Sequence, residues 1–188
     1  MNKKEIRLKY KQLRSSLPED KRFELQKSLL LQFNNLNLAN IKVLHHYLAV
    51  KEQYEIPVDK MIDTIKKNSV DLIQAVPVMK QDDMISVIYK ENTPLKKNEW
   101  GIEEPLEQHQ IDEKLIDFVL VPLLAFDNKG NRVGYGKGCY DRFLARCRKD
   151  VIKVGISFFP PVERIDDTDK FDIPLSFCIT PDRIYEFG

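Results

Sequence analysis

Residues 118–147 read FVLVPLLAFDNKGNRVGYGKGCYDRFLARC. The stretch opens on an apolar run from Phe118 to Val121 that Pro122 closes, the pattern of a fully buried strand. A turn-rich loop follows, Asp127-Asn128-Lys129-Gly130-Asn131, and then glycines at alternate positions, Gly134, Gly136 and Gly138. Beyond them Tyr140, Phe143, Leu144 and Cys147 stand at i, i+3, i+4 and i+7, which makes one apolar stripe on a helix.

A strand, a glycine loop and a helix start form a device for holding phosphate. Backbone N–H groups at a helix N-terminus point at an anion, and the helix dipole favours negative charge there. Glycine lets that backbone come close because it has no Cβ. Lys137 and Arg132 bring positive charge to the same place, and Asp141, in the first helical turn, could hold a magnesium ion bridging phosphates. The spacing is neither Gly-x-x-x-x-Gly-Lys-Ser/Thr nor Gly-x-Gly-x-x-Gly. On spacing alone a tight turn with a solvated Lys137 explains these residues equally well.

Longer runs decide between the two. Val121-Pro122, Ala125-Phe126-Asp127 and the run Gly130-Asn131-Arg132-Val133-Gly134-Tyr135-Gly136-Lys137-Gly138-Cys139-Tyr140-Asp141 resemble the signature of the 5-formyltetrahydrofolate cyclo-ligase family, also called methenyltetrahydrofolate synthetases. The resemblance implies ATP and folate bound at one site with Mg2+. It makes Lys137 and Arg132 the catalytic cations. It assigns ATP to Gly134, Tyr135, Gly136, Lys137, Gly138, Cys139 and Tyr140 together with Arg132, and assigns the metal to Asp141 and Asp172.

Working outward, residues 2–17 read as a helix with Ile6, Tyr10, Leu13 and Leu17 on its apolar side, and with Lys3, Arg7 and Arg14 together on another face. Such a face is ordinarily solvated charge. The family resemblance instead matches Lys3 and Arg7, four apart, to a pair that contacts ATP, with Lys4 as a neighbouring alternative to Lys3. Ser16-Leu17-Pro18-Glu19 fits a capping box before a second helix that carries Leu25, Leu29, Phe33 and Leu36. Residues 41–50 read as the first strand. His45 and His46, adjacent on it, are sent to opposite faces and so make no metal pair.

The segment after that strand lies where ligands gather in open α/β sheets. The resemblance aligns Glu55 with the acidic residue that recognises folate and Val50 with a second substrate contact; Gln53 stands where another acid is usual. Tyr135 and Cys139 are expected to touch the substrate too, Cys139 standing where Tyr is usual. A helix is expected over 57–67, and strands over 70–78, 84–89 and 151–158. Residues 91–110 are polar and irregular, with Trp100 resembling a residue near the pteridine. Residues 172–180 resemble the family's closing strand, with Ser176 in place of a second Asp.

Strands alternating with helices imply an open, mostly parallel α/β sheet, three-layered and Rossmann-like, in a single domain over 1–188. Thirty basic against 29 acidic residues leave a net charge of +1, so no global field draws the chain to nucleic acid or membrane. Three cysteines without a C-x-x-C pair fit a reduced, cytoplasmic protein without zinc. No apolar run approaches the ~20 residues of a membrane span. A monomer is expected, with small-molecule partners only. The reaction implied is ATP-dependent closure of 5-formyltetrahydrofolate to 5,10-methenyltetrahydrofolate, releasing ADP and phosphate. A non-catalytic folate- or nucleotide-binding module and a small-metabolite kinase are the rival readings.

Overall fold

The computed structural model describes residues 1–69, 71–81, 83–99 and 101–188. Helix α1 (Lys3–Ser16) and helix α2 (Glu19–Phe33) precede strand β1 (Val43–His45), helix α3 (Asp59–Asn68) and the antiparallel strands β2 (Ile73–Lys80) and β3 (Asp83–Tyr89). Short strands β4 (Leu95–Lys97) and β5 (Glu103–Pro105) come next, then β6 (Phe118–Val121). The hairpin of β7 (Ala125–Phe126) and β8 (Arg132–Val133) leads to α4 (Cys139–Arg146), β9 (Ile152–Ile156), β10 (Phe177–Ile179) and β11 (Ile184–Glu186).

Seven strands form one sheet in the order β11-β10-β9-β6-β1-β2-β3. The inner pairings, β10 with β9, β9 with β6, β6 with β1 and β1 with β2, are parallel; the edge strands β11 and β3 run antiparallel. Successive residues of a strand point to opposite faces, and both faces here are buried. Phe118 and Leu120 pack with Leu29, Phe33 and Ile65 of α2 and α3. Val119 and Val121 pack with Phe143 and Leu144 of α4. The three-layer α/β arrangement expected from the sequence is therefore the one observed.

Several boundaries move, each for a reason outside its own segment. β1 is three residues long, not ten: beyond it the chain leaves the sheet for a 3-10 turn at Lys51–Gln53, and the Tyr47 hydroxyl, turned into the core, donates to the Ile56 carbonyl at 2.8 Å. β2 continues through Pro77 to Lys80, because Pro77 lies past the last β1 pair at Ala75, where its missing N–H costs that ladder nothing. The capping box expected at Ser16 is absent there. Ser16 lies inside α1 with its hydroxyl on the Leu13 carbonyl, and α2 starts at Pro18 without a side-chain cap. A capping box sits at the other end of α1, where Asn2 accepts from the Glu5 N–H at 2.9 Å and Glu5 accepts from the Asn2 N–H at 3.0 Å. Residues 91–110, expected to be irregular, hold the β4–β5 hairpin.

Candidate functional site

The chain lays β2 and β3 on one side of β1, then returns to place β6 on the other. This reversal of direction opens a crevice at the carboxyl ends of β1 and β6, the usual place for a ligand in such sheets. A cleft of about 1390 Å³ occupies it, walled by α1, by the loop after β1, by residues 132–142 and by residues 169–173.

The glycine loop forms one wall. Gly136 at φ +106° and Gly138 at φ +67° adopt left-handed backbone, and Gly138 is the N-cap of α4 without any side-chain cap. The first N–H groups of α4 therefore point outward at the cleft's edge. Gly134 has no such requirement; a Cβ there would meet open space. Against this loop lies Arg7, whose Nε donates to the Gly134 carbonyl at 3.0 Å. A Cβ at Gly136 would come within 3.2 Å of the Arg7 guanidinium as well as straining the backbone. Gly136→Ala is thus expected to cost about 1–3 kcal/mol of stability, read as a lowered midpoint in urea, and to displace Arg7.

Lys3 reaches the cleft while Lys4 is exposed elsewhere on α1. The Lys3 ammonium donates to both oxygens of Asp172, at 2.7 and 2.6 Å, and both side chains are 15% exposed. Arg132 is posed differently from a solvent-facing counter-charge. Its Nη1 donates to the Ile173 carbonyl and its Nη2 to Asp141 Oδ1 at 2.8 Å, with 5% of the side chain exposed. Burial lowers the Arg132 pKa, and the Asp141 carboxylate opposes that. Asp141 Oδ1 also accepts from the Ile173 N–H at 3.1 Å. Arg132 thus ties α4 to the loop that carries Asp172.

On the opposite wall Glu55 accepts from the Val50 N–H at 2.8 Å, which folds residues 50–55 over the mouth, with Gln53 on the exposed 3-10 turn. Tyr135 lines the cleft, and burial followed by the Glu55 carboxylate raises its pKa. Cys139 is buried at the cleft's edge, and that burial raises its thiol pKa. The Tyr140 hydroxyl is buried with no partner among the described residues. Trp100 lies outside the described residues. Of the expected site residues, Lys3, Arg7, Val50, Glu55, Arg132, residues 134–141 and Asp172 all line this one cleft.

A magnesium ion fits the donor set in one manner. Among the described residues no cluster of three or more acidic, histidine or cysteine side chains could cage an ion. Asp141 and Asp172 instead offer hard carboxylate oxygens at the cleft wall. Asp141 is held by its Oδ1 alone, and nothing among the described residues donates to its Oδ2. One or two carboxylates completed by phosphate oxygens and water is the ordinary way Mg2+ is held beside a nucleotide.

Sequence reasoning left Arg14 unassigned, although it shares a helix face with Lys3 and Arg7. It is 4% exposed and its guanidinium donates to the Tyr135 hydroxyl at 3.1 Å. Phe171 and Leu8, both well exposed, stand at the mouth and gave no local signal.

Comparison with known proteins points to one family and one fold. The model of the 5-formyltetrahydrofolate cyclo-ligase family matches residues 1–173. A 5-formyltetrahydrofolate cyclo-ligase of Haemophilus influenzae is 41% identical over 91 residues, 46% of this chain and 48% of that protein, so the match spans about half of that relative's length. One from Mycoplasma genitalium is 28% identical over 163 residues, 82% of this chain and 87% of that protein. The solved structure of a 5,10-methenyltetrahydrofolate synthetase from Aquifex aeolicus superposes with a TM-score of 0.81 at 27% identity, covering 99% of this chain and 93% of that one.

Proposed function

Because the chain belongs to the 5-formyltetrahydrofolate cyclo-ligase family, we propose that its cleft closes 5-formyltetrahydrofolate to 5,10-methenyltetrahydrofolate at the expense of ATP, in the cytoplasm and with Mg2+. The observation that carries this reading is the convergence on one cleft of a left-handed glycine loop, the Lys3 and Arg7 face of α1 and the Glu55 loop. One wall suits polyphosphate and the other a polar heterocycle.

The chemistry explains the parts. A formyl oxygen on nitrogen is amide-like and leaves poorly. Moving the γ-phosphoryl of ATP onto that oxygen makes it a good leaving group. The folate N10 amine then adds to the formyl carbon, its proton passes to solvent or the departing phosphate, and the C–O bond breaks as phosphate leaves. Positioning and charge stabilisation serve such a reaction better than a protein nucleophile. In this assignment residues 134–139 cradle the phosphates by backbone N–H groups, while Arg7 and Lys137 balance their charge. Glu55 and Val50 hold the folate ring, with Tyr135 and Cys139 between the two ligands. Asp141 and Asp172 would hold Mg2+, which when bound neutralises phosphate charge. Lys3, whose ammonium holds Asp172, would add positive charge on the same wall of the cleft.

Arg132 acts here by orienting Asp141. Removing a group that orients a metal-binding side chain typically costs ~10–100-fold in metal affinity. Arg132→Met is therefore expected to raise the Mg2+ concentration for half-maximal turnover by about tenfold or more. An unchanged Mg2+ titration would return Arg132 to a direct phosphate role.

The function itself is tested by mixing purified protein with ATP, Mg2+ and 5-formyltetrahydrofolate. Methenyl absorbance and inorganic phosphate should rise together in equal amounts. Phosphate release without the folate would favour a kinase or an adventitious ATPase, and binding of both ligands without product would favour a non-catalytic module.

A further inference from the structure

Arg14 lies deep beneath the cleft, and a buried guanidinium needs compensation. Its hydrogen bonds go to neutral oxygens, the Leu123 carbonyl and the Tyr135 hydroxyl. Among the described residues no carboxylate forms a direct ion pair with it. A carboxylate that shares its surroundings is Glu55, and three observations place the two in one small space. The Tyr135 phenol feels both: its hydroxyl accepts from Arg14 at 3.1 Å, and the Glu55 carboxylate, after burial, raises its pKa. The buried Tyr47 phenol also feels both charges. A separate cavity of about 10 Å³ is lined by Arg14, Tyr47 and Glu55 together with Ile56, Pro122, Leu123 and Ile156. That is about the space of one water, in a setting polar enough to hold it.

We propose that Arg14 is a positioning residue for the folate side of the site: acting through the Tyr135 hydroxyl and one water in the cavity below, it holds Glu55 and thereby the loop of residues 50–55. A phenol that accepts from a guanidinium keeps its own O–H to donate toward a carboxylate, here by way of the water in that cavity, and so relays between opposite charges. Glu55 in turn accepts from the Val50 N–H, so the brace ends on the backbone of the loop. The same helix carries Lys3 and Arg7 two turns and more away, so α1 links the phosphate wall to the folate wall.

The consequence for substrate rests on the function proposed above; the brace itself does not, and the test keeps them apart. Hydrogen exchange at residues 50–55 is measured for wild type, Arg14→Met and Tyr135→Phe, with 5-formyltetrahydrofolate and ATP affinities measured on the same proteins by calorimetry. Tyr135→Phe removes one hydroxyl and guards against a failure of Arg14→Met to fold. Both variants are expected to speed exchange of the Val50 amide about tenfold; Arg14→Met, at a residue that does not line the cleft, is further expected to weaken 5-formyltetrahydrofolate about tenfold and to change ATP affinity by less than about twofold. Faster exchange at residues 50–55 in a protein whose wild type binds no 5-formyltetrahydrofolate would support the brace and remove the folate reading. Unchanged exchange there in Tyr135→Phe, or equal acceleration across the whole sheet with parallel loss of both ligands, would overturn the brace.

Discussion

Lys137→Met is expected to fold as the parent does, bind ATP nearly as well and turn over ~10²–10³ times more slowly, about 3–4 kcal/mol of transition-state stabilisation. Lys137 lies at the cleft between the left-handed Gly136 and Gly138. Its backbone is pinned independently of its side chain, since Arg142 Nη2 donates to the Lys137 carbonyl at 3.1 Å. The methionine variant keeps most of the stem, so the loop and its N–H groups stay in place. Those groups carry much of the ground-state hold on phosphate, which is why affinity should change little. An ammonium is a compact charge on a flexible stem and can follow a phosphoryl group as it moves. Charge on the transferring oxygens most needs neutralising in the transition state, so the loss should fall on kcat rather than on KM. A solvated turn lysine would predict almost no change in either. Near-parental kcat in a folded variant would end the catalytic assignment.

Sequence legibility followed the locality of the cause. β6 came out at Phe118–Val121 as read, because an apolar run stopped by Pro122 needs no distant partner to be a buried strand. The apolar stripe of α4 likewise packs as expected, Phe143 and Leu144 being buried. The β4–β5 hairpin was hidden because its anchor is remote. Glu104, a charged residue in a polar stretch, is 5% exposed and accepts from the Met79 N–H at 2.8 Å and the Asn98 side chain at 2.9 Å. The capping box expected at Ser16 shows the same limit. Ser16 had the right neighbours, yet the last turn of α1 took its hydroxyl, a choice made by the helix before it.

The site was legible as a motif and not as a network. Spacing alone left residues 134–141 between a phosphate cradle and a plain turn, and the family resemblance tipped that balance. What joins the cleft is long-range: Lys3 meets Asp172 from 169 residues away, and Arg14 meets Tyr135 from 121. Periodicity placed Lys3, Arg7 and Arg14 on one face of a helix but gave no sign that a cleft, rather than solvent, faced them. Arg132 shows the reverse case. Its position in the motif suggested phosphate, and only the fold brought Asp141 and Ile173 close enough to engage it.

The free protein is expected to lose stability steeply between pH 6.5 and about pH 4.5, by roughly 2–3 kcal/mol for each of two histidines. His45 is wholly buried beneath the glycine-loop helix, its ring 4.4 Å from that of Phe143, and neither ring nitrogen has a partner among the described residues. Burial, with a smaller push from His46, lowers its pKa to about 3. His46, 2% exposed, is lowered by burial to about 4, although the Tyr47 carbonyl at 3.2 Å offers partial relief. Both therefore stay neutral in the folded chain, while unfolding returns them to an ordinary pKa near 6.5. Above that pH neither state binds the proton and the burial carries no pH-linked penalty. As pH falls through 6.5 the unfolded chain gains protons that the folded chain refuses, and stability drops at ~1.4 kcal/mol per pH unit for each group. The loss ends only near the folded values of about 3 and 4. Most carboxylates are still ionised at pH 5, so urea denaturation from pH 7 to pH 5 isolates the histidines. His45→Phe keeps an aromatic ring against Phe143 and removes one titrating group, so its stability should fall with pH at about half the parental slope over that range. A parental stability that stays flat from pH 7 to pH 5 would mean that the two rings take up protons in the folded state, and that the packing beneath α4 opens to admit water.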